Sequence, residues 1–260
     1  VFLRYEVLFG VFLCVMFATP HEIWNNLFAV AAAILFLCGY LLLCGMGLRQ
    51  IASPRILGVG FAFFALACVL SMGFTTAPGD SFRILLIYFA GFIFCYLIAA
   101  TFNTPASLRR LLGFLYAALL IVSAIGIGQR IFHLVWVSTS FTDVRINQGV
   151  PGRIYATLDN PNNLSGFIQL FLPLSAAYAG SAKKRWQQCL LASGLLLPVV
   201  ALVMTYSRSG WLAMMLAAVV FVFYCNKSLL PLFGLLALMA LPLMPQSVLT
   251  RLATIGNNAF

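Results

Sequence analysis

Along the chain, long apolar runs alternate with short polar interruptions. The runs cover about 5–19, 27–48, 56–74, 83–102, 108–130, 163–181, 188–205, 210–226 and 229–245, and each is apolar on all sides rather than on one face or at alternate positions. Barrel strands alternate apolar and polar residues over about ten positions, whereas about 20 apolar residues make a helix long enough to cross roughly 30 Å of hydrocarbon. The pattern predicts an all-α, polytopic transmembrane helical bundle of about nine spans. The opening residues lack a short charged region followed by a small-residue cleavage site, so the first run reads as a retained span rather than a signal peptide.

No repeat or low-complexity tract divides the chain, and residues 1–260 read as a single transmembrane domain. The longest interruption, about 131–162, opens with Phe132, Leu134, Val135, Trp136 and Val137, too apolar for a disordered linker. It is expected to lie along the outer membrane interface, and its Gly-, Pro- and Asn-rich second half to rest on protein or line a watery cavity. Residues of about 246–260 read as the start of an outer loop, so a further segment is expected to follow.

Composition agrees with this class. Hydrophobic residues make up 63% of the 260 and charged residues 8%, and the mean hydropathy is +1.05; a soluble domain carries about 25% charged residues. The net charge of +10 would suggest nucleic acid in a soluble protein, but here it follows the short loops. With a cytoplasmic N-terminus, the inner loops hold Arg49, Arg55, Arg109, Arg110, Lys183, Lys184, Arg185 and Lys227 in roughly 27 residues. The outer loops hold Arg83, Arg130, Arg145, Arg153 and Arg208 in roughly 55. That asymmetry predicts an N-in topology, with the positive charge facing anionic lipid and no nucleic-acid partner. The seven cysteines fall inside the apolar runs without a CxxC spacing and read as small packing residues.

Against this background, three polar groups stand out, and the predicted topology puts all of them on the outer side. The first is Pro151-Gly152-Arg153, where a turn aims a guanidinium able to bind a pyrophosphate bidentately. The second is Asn160-Pro161-Asn162-Asn163, with Asn162 or Asn163 as the expected N-cap of the next helix, whose positive end suits an anion. The third is Ser207-Arg208-Ser209-Gly210 between the interface-type aromatics Tyr206 and Trp211. Plain alternatives stand beside each: an arginine paired with lipid phosphate, a structural cap, and an arginine that snorkels. Arg145, in the same outer segment, joins the candidates. The five carboxylates (Glu6, Glu22, Asp80, Asp143 and Asp159) form no DxD cluster, no P-loop is present, and the two histidines lack ligand spacing. Neither metal nor nucleotide cofactor is expected.

The stretch Arg153-Ile-Tyr-Ala-Thr-Leu-Asp-Asn160-Pro161-Asn162-Asn163-Leu-Ser-Gly is followed by a span, a basic inner loop, another span and Thr205-Tyr206-Ser207-Arg208-Ser209-Gly210-Trp211. In order and spacing it resembles the O-antigen ligase and polymerase superfamily, bacterial membrane glycosyltransferases that use undecaprenyl-pyrophosphate-linked glycans. The resemblance covers about residues 145–226 by motif and the remainder by hydropathy alone. It implies a GT-C-like helical fold and metal-independent, inverting transfer from undecaprenyl pyrophosphate to a sugar hydroxyl. The acceptor would be the lipid A-core in a ligase and a second lipid-linked glycan in a polymerase.

The resemblance also implies a place and roles. The protein would sit in the bacterial inner membrane with its site facing the periplasm. Arg153 and Arg208 would contact the donor pyrophosphate, while Asn160, Asn162, Asn163, Ser207 and Arg145 would line its binding site. In the ligase branch a histidine on a long outer loop activates the acceptor, and this chain ends about where that loop would begin. A small-anion transporter is the rival from another class. It would need a polar path across the membrane, for which Gln169 is the one strongly polar candidate in the sixth run.

Overall fold

The computed structural model describes residues 2–20, 26–51, 55–133 and 152–225. Among these, the regular structure is entirely α-helical: α1 (Phe2–Ala18), α2 (Asn26–Gly45), α3 (Arg55–Met72), α4 (Pro78–Thr101), α5 (Pro105–Ile131), α6 (Pro161–Gly180), α7 (Arg185–Gly194), α8 (Leu196–Met204) and α9 (Arg208–Cys225). The first eight apolar runs therefore all become helix. The ninth run, the outer loop of about 246–260, and Arg145 with most of its interfacial segment lie outside the described residues.

Among the described residues, four stretches can cross a membrane by length and composition: Leu27–Gly45, Pro78–Thr101, Pro105–Ile131 and Arg185–Met204, the last comprising α7 and α8. Leu57–Met72 and Arg208–Val220 are shorter apolar helices. Large apolar side chains such as Leu27, Leu35, Phe63 and Leu70 point outward at 61–72% exposure. Such a surface is compatible with a membrane protein.

The seventh run divides at Leu195, and the sequence supplies the reason. Pro198 has no N–H to return to the carbonyl of Gly194, and its ring crowds that carbonyl, so the ladder is interrupted one turn earlier. The Leu195 N–H turns to Ala192 O at 3.1 Å, and the carbonyl of Leu191, released from the helix, accepts the Tyr116 hydroxyl at 2.9 Å.

The chain forms two compact units, Val1–Phe114 and Leu115–Phe260, with the boundary inside α5. In the first, α4 packs against both α2 and α3, and α1 contributes the buried Phe9. The Phe9 and Phe12 rings lie 4.9 and 4.8 Å from Phe36 and 6.3 and 5.9 Å from Phe94, near the 4.5–7 Å range in which aromatic pairs attract. Gly10 leaves no space for a side chain against Phe114.

At one end of this unit lies a charged network. Glu6, 3% exposed, accepts from Arg110 Nε at 2.9 Å and from Arg110 Nη2, with Arg49 Nη1 at 3.9 Å. Arg49 also donates to the carbonyls of Ala100 and Thr101 at 2.5 and 3.1 Å and to Asn103 Oδ1 at 2.7 Å. Its charge thereby meets the negative end of α4. Arg49 and Arg110 read from sequence as loop charges; in the structure they are members of an ion-pair network. The network gathers the start of α1, the end of α2, the end of α4 and the start of α5.

Candidate functional site

In the second unit the ends of α5 and α8 meet the starts of α6 and α9, and the irregular segment 152–160 runs among them. Asn160 begins the site. A residue before proline is driven to extended backbone, and an N-cap needs that conformation. Asn160, at φ −134° and ψ 127°, caps α6 by accepting the Asn162 N–H on Oδ1 at 2.8 Å, with Pro161 at the first helical position. The expected caps Asn162 and Asn163 are thus corrected to Asn160: Pro161 has no N–H to be satisfied and has its φ already set, so the helix starts there.

The shift of the cap leaves the Asn162 side chain for another task. Its Oδ1 accepts from Arg153 Nη2 at 3.0 Å, and Arg153 Nε donates to the Thr205 carbonyl at 2.8 Å. Arg153 is only 8% exposed. The carbonyl and the carboxamide fix the direction of the guanidinium beside the positive end of α6 without themselves neutralising it. Asn163 is exposed and reaches back from Nδ2 to Leu158 O at 3.4 Å, a long bond.

Two parts of the backbone hold this arrangement. Gly152 has φ +64°, a conformation that favours glycine, and a Cβ there would have to displace the Arg130 guanidinium. Ala156 and Asp159 also lie in the left-handed region, at φ 53° and 58°, and such residues gather where surrounding structure holds a strained backbone for a purpose. Gln129, 6% exposed on α5, grips the segment: its Oε1 accepts the Ala156 N–H at 2.8 Å and the Tyr155 N–H at 3.4 Å, and its Nε2 donates to Ala156 O at 3.0 Å.

On the other side, α8 ends at Thr205, and the chain reverses through Tyr206 at φ 53°. The Thr205 hydroxyl donates to Leu202 O at 2.7 Å and accepts the Ser207 N–H at 3.3 Å. Ser207 is buried, its Oγ lies 3.3 Å from Ser209 Oγ, and its carbonyl accepts the Trp211 N–H at 3.1 Å. Arg208, partly buried, opens α9 three positions after Thr205. Trp211, read from sequence as an interface aromatic, is instead buried, with Nε1 donating to Leu202 O at 3.2 Å.

Below this level α6 and α9 approach closely. Gln169 Nε2 donates to Ser165 Oγ at 2.9 Å, and a Cβ on Gly210 would overlap that hydroxyl. Gln169 thus has a neutral partner on its own helix, one turn away.

The structure therefore links Arg153, Asn160, Asn162 and Ser207 through Thr205 and the cap of α6, and puts Arg208 at the start of the adjoining helix. Sequence reasoning missed Gln129 and the part played by the Thr205 carbonyl. A lone glutamine near the end of an apolar run was a signal for the first; a backbone carbonyl leaves none. Among the described residues no three His, Cys, Asp or Glu side chains gather as metal ligands would. No protein-family model matches the chain, and no curated protein or solved structure matches it.

Proposed function

We propose that this chain is an O-antigen ligase-like membrane glycosyltransferase. It transfers a glycan from undecaprenyl pyrophosphate to a sugar hydroxyl of the lipid A-core at the outer face of the bacterial inner membrane. A polymerase of the same superfamily would differ only in using a second lipid-linked glycan as acceptor. The reading includes a GT-C-like bundle of about nine spans, a cytoplasmic N-terminus and a periplasmic site. It rests on the motif resemblance, and the observation that supports it most is the buried Arg153 held at the start of α6 by Asn162 and Thr205.

The acceptor hydroxyl attacks the anomeric carbon from the face opposite the leaving group. The bond from that carbon to the pyrophosphate oxygen breaks, and configuration inverts. Lipid pyrophosphate departs with the electron pair. Arg153 and Arg208 act on the charge that grows on the leaving oxygens, which accelerates transfer only as far as their contacts strengthen in the transition state. Asn160 and Asn162 hold the helix start and the guanidinium, Asn163 and Ser207 line the anion site, and Arg145 adds a cation from the outer segment. The superfamily resemblance assigns removal of the acceptor proton to a histidine on a later outer loop.

Two measurements test the reading. Full-length purified protein, given undecaprenyl-pyrophosphate glycan and lipid A-core, should form product in EDTA without nucleotide. Saturable anion flux in vesicles, with no transfer from authentic donor and acceptor, would instead establish the transporter. For orientation, a single cysteine at position 209 in a cysteine-free background should react with an impermeant maleimide from outside, and one at 183 should not.

A further inference from the structure

We infer that Gln129 is a positioning residue that sets the height of Arg153. The inference rests on the transferase reading for its effect on transfer, but the contact that carries it stands independently. Gln129 lies at the end of α5, and its carboxamide pairs with the main chain of Ala156 as a neighbouring β-strand would, through one accepted bond at 2.8 Å and one donated bond at 3.0 Å. The Tyr155 N–H supplies a third, longer bond at 3.4 Å. The buried main chain of an irregular segment must find partners somewhere, and here one side chain satisfies both polar groups of the residue that turns left-handed at φ 53°.

The grip is local to the functional arginine. Ala156 lies three positions from Arg153, and between them Ile154 is buried with its N–H on Met204 O at 3.3 Å and its Cδ1 close to Gly126 of α5. On the other side of Arg153, Gly152 rests on the guanidinium of Arg130. Adjacent residues of α5 thus lie against the segment before and after Arg153, and Gln129 holds it by directional hydrogen bonds. Only a side chain with a donor and an acceptor on one planar group can make both bonds to Ala156. A glutamate keeps the acceptor and loses the donor; a methionine of similar length loses both.

The experiment uses the full-length protein and two readouts. In a cysteine-free background Thr157, 1% exposed, is replaced by cysteine, and its reaction with N-ethylmaleimide is timed with Gln129 intact, Gln129→Glu and Gln129→Met. Transfer is measured in the same substitutions without the reporter, alone and combined with Arg153→Lys. Gln129→Met should speed labelling at least about tenfold and lower kcat by about tenfold with little change in KM, with Gln129→Glu intermediate in both. The double variant with Arg153→Lys should be no slower than Arg153→Lys alone, because the two changes act through one group.

Unchanged labelling in both variants overturns the inference, as does a loss of transfer that multiplies with that of Arg153→Lys. Gln129→Glu retains an acceptor and carries the test if Gln129→Met does not fold. If the wild type shows no transfer but labelling still accelerates in the variants, the grip is supported and the transferase reading fails.

Discussion

The two units each fix arginines in a polar network, and they do so differently: around the buried Glu6 in the first, and with Arg153 itself buried in the second. In the first, Arg110 and Arg49 meet the carboxylate of Glu6, and Arg49 also covers the carbonyl end of α4. One carboxylate is shared by two guanidinium groups, and the product is a junction of helix ends. In the second, Arg153 is oriented by a carbonyl and a carboxamide, in a segment containing three left-handed residues, Gly152, Ala156 and Asp159. Among the described residues every non-glycine in that conformation belongs to the second unit. The first arrangement joins helix ends through side-chain charge; the second fixes one guanidinium by hydrogen bonds to a carbonyl and a carboxamide, on backbone that costs energy to hold.

The largest effect should come from breaking the first arrangement. Glu6→Gln leaves two guanidinium groups, one of them partly exposed, facing a neutral amide and should destabilise the protein by about 2–3 kcal/mol, the range for hydrogen bonds lost at a charged group. Melting of the purified protein in detergent measures it, and transfer per folded molecule should be unchanged. A fall in transfer without a fall in melting temperature would show that the two regions do not divide the labour in this way.

Next is the α6–α9 contact beneath the site. Gly210→Ala forces a methyl group onto Ser165 Oγ and should lower stability by about 2 kcal/mol through overpacking. Pairing it with Ser165→Ala, which removes the hydroxyl, should recover most of that loss in the same melting assay. Absence of recovery would place the strain elsewhere.

Arg153→Lys should reduce transfer at least about tenfold, corresponding to about 1.4 kcal/mol, because an ammonium cannot reproduce the guanidinium fork. The same substitution at Arg208 should have a similar effect if both contact one pyrophosphate. Normal transfer at normal expression would return either arginine to the role of a lipid anchor. The smallest effect belongs to the cap: Asn160→Ala should cost about 1 kcal/mol and Asn162→Ala less in stability but more in transfer, since Asn162 holds Arg153 rather than the helix start. Measuring melting and transfer on both variants separates the two tasks.

Helix positions were legible along the chain because hydropathy is a local sum and needs no knowledge of neighbours. Eight apolar runs became helix within a few residues, and Arg153, the Asn160 motif and Ser207 all lie near helix ends, where polar interruptions of the pattern put them. The break at Leu195 was also within reach through Pro198, but a hydropathy average passes over one proline. The N-cap of α6 lies two or three residues before Asn162 and Asn163, which side-chain type alone favours equally, because the backbone requirement imposed by Pro161 decides between them.

What the sequence by itself determined is the helical class, the order of the helices and the pool of polar residues near their ends. Only the tertiary structure decided which of them meet. Glu6 finds Arg110 across 104 positions, Arg153 finds Thr205 across 52, and Gln129 finds Ala156 across 27. Such contacts depend on how each helix is rotated and how far it slides along its neighbours. Apolar runs that are apolar on all sides carry almost no record of either, so the partners are chosen by packing and by the need to satisfy each buried polar group.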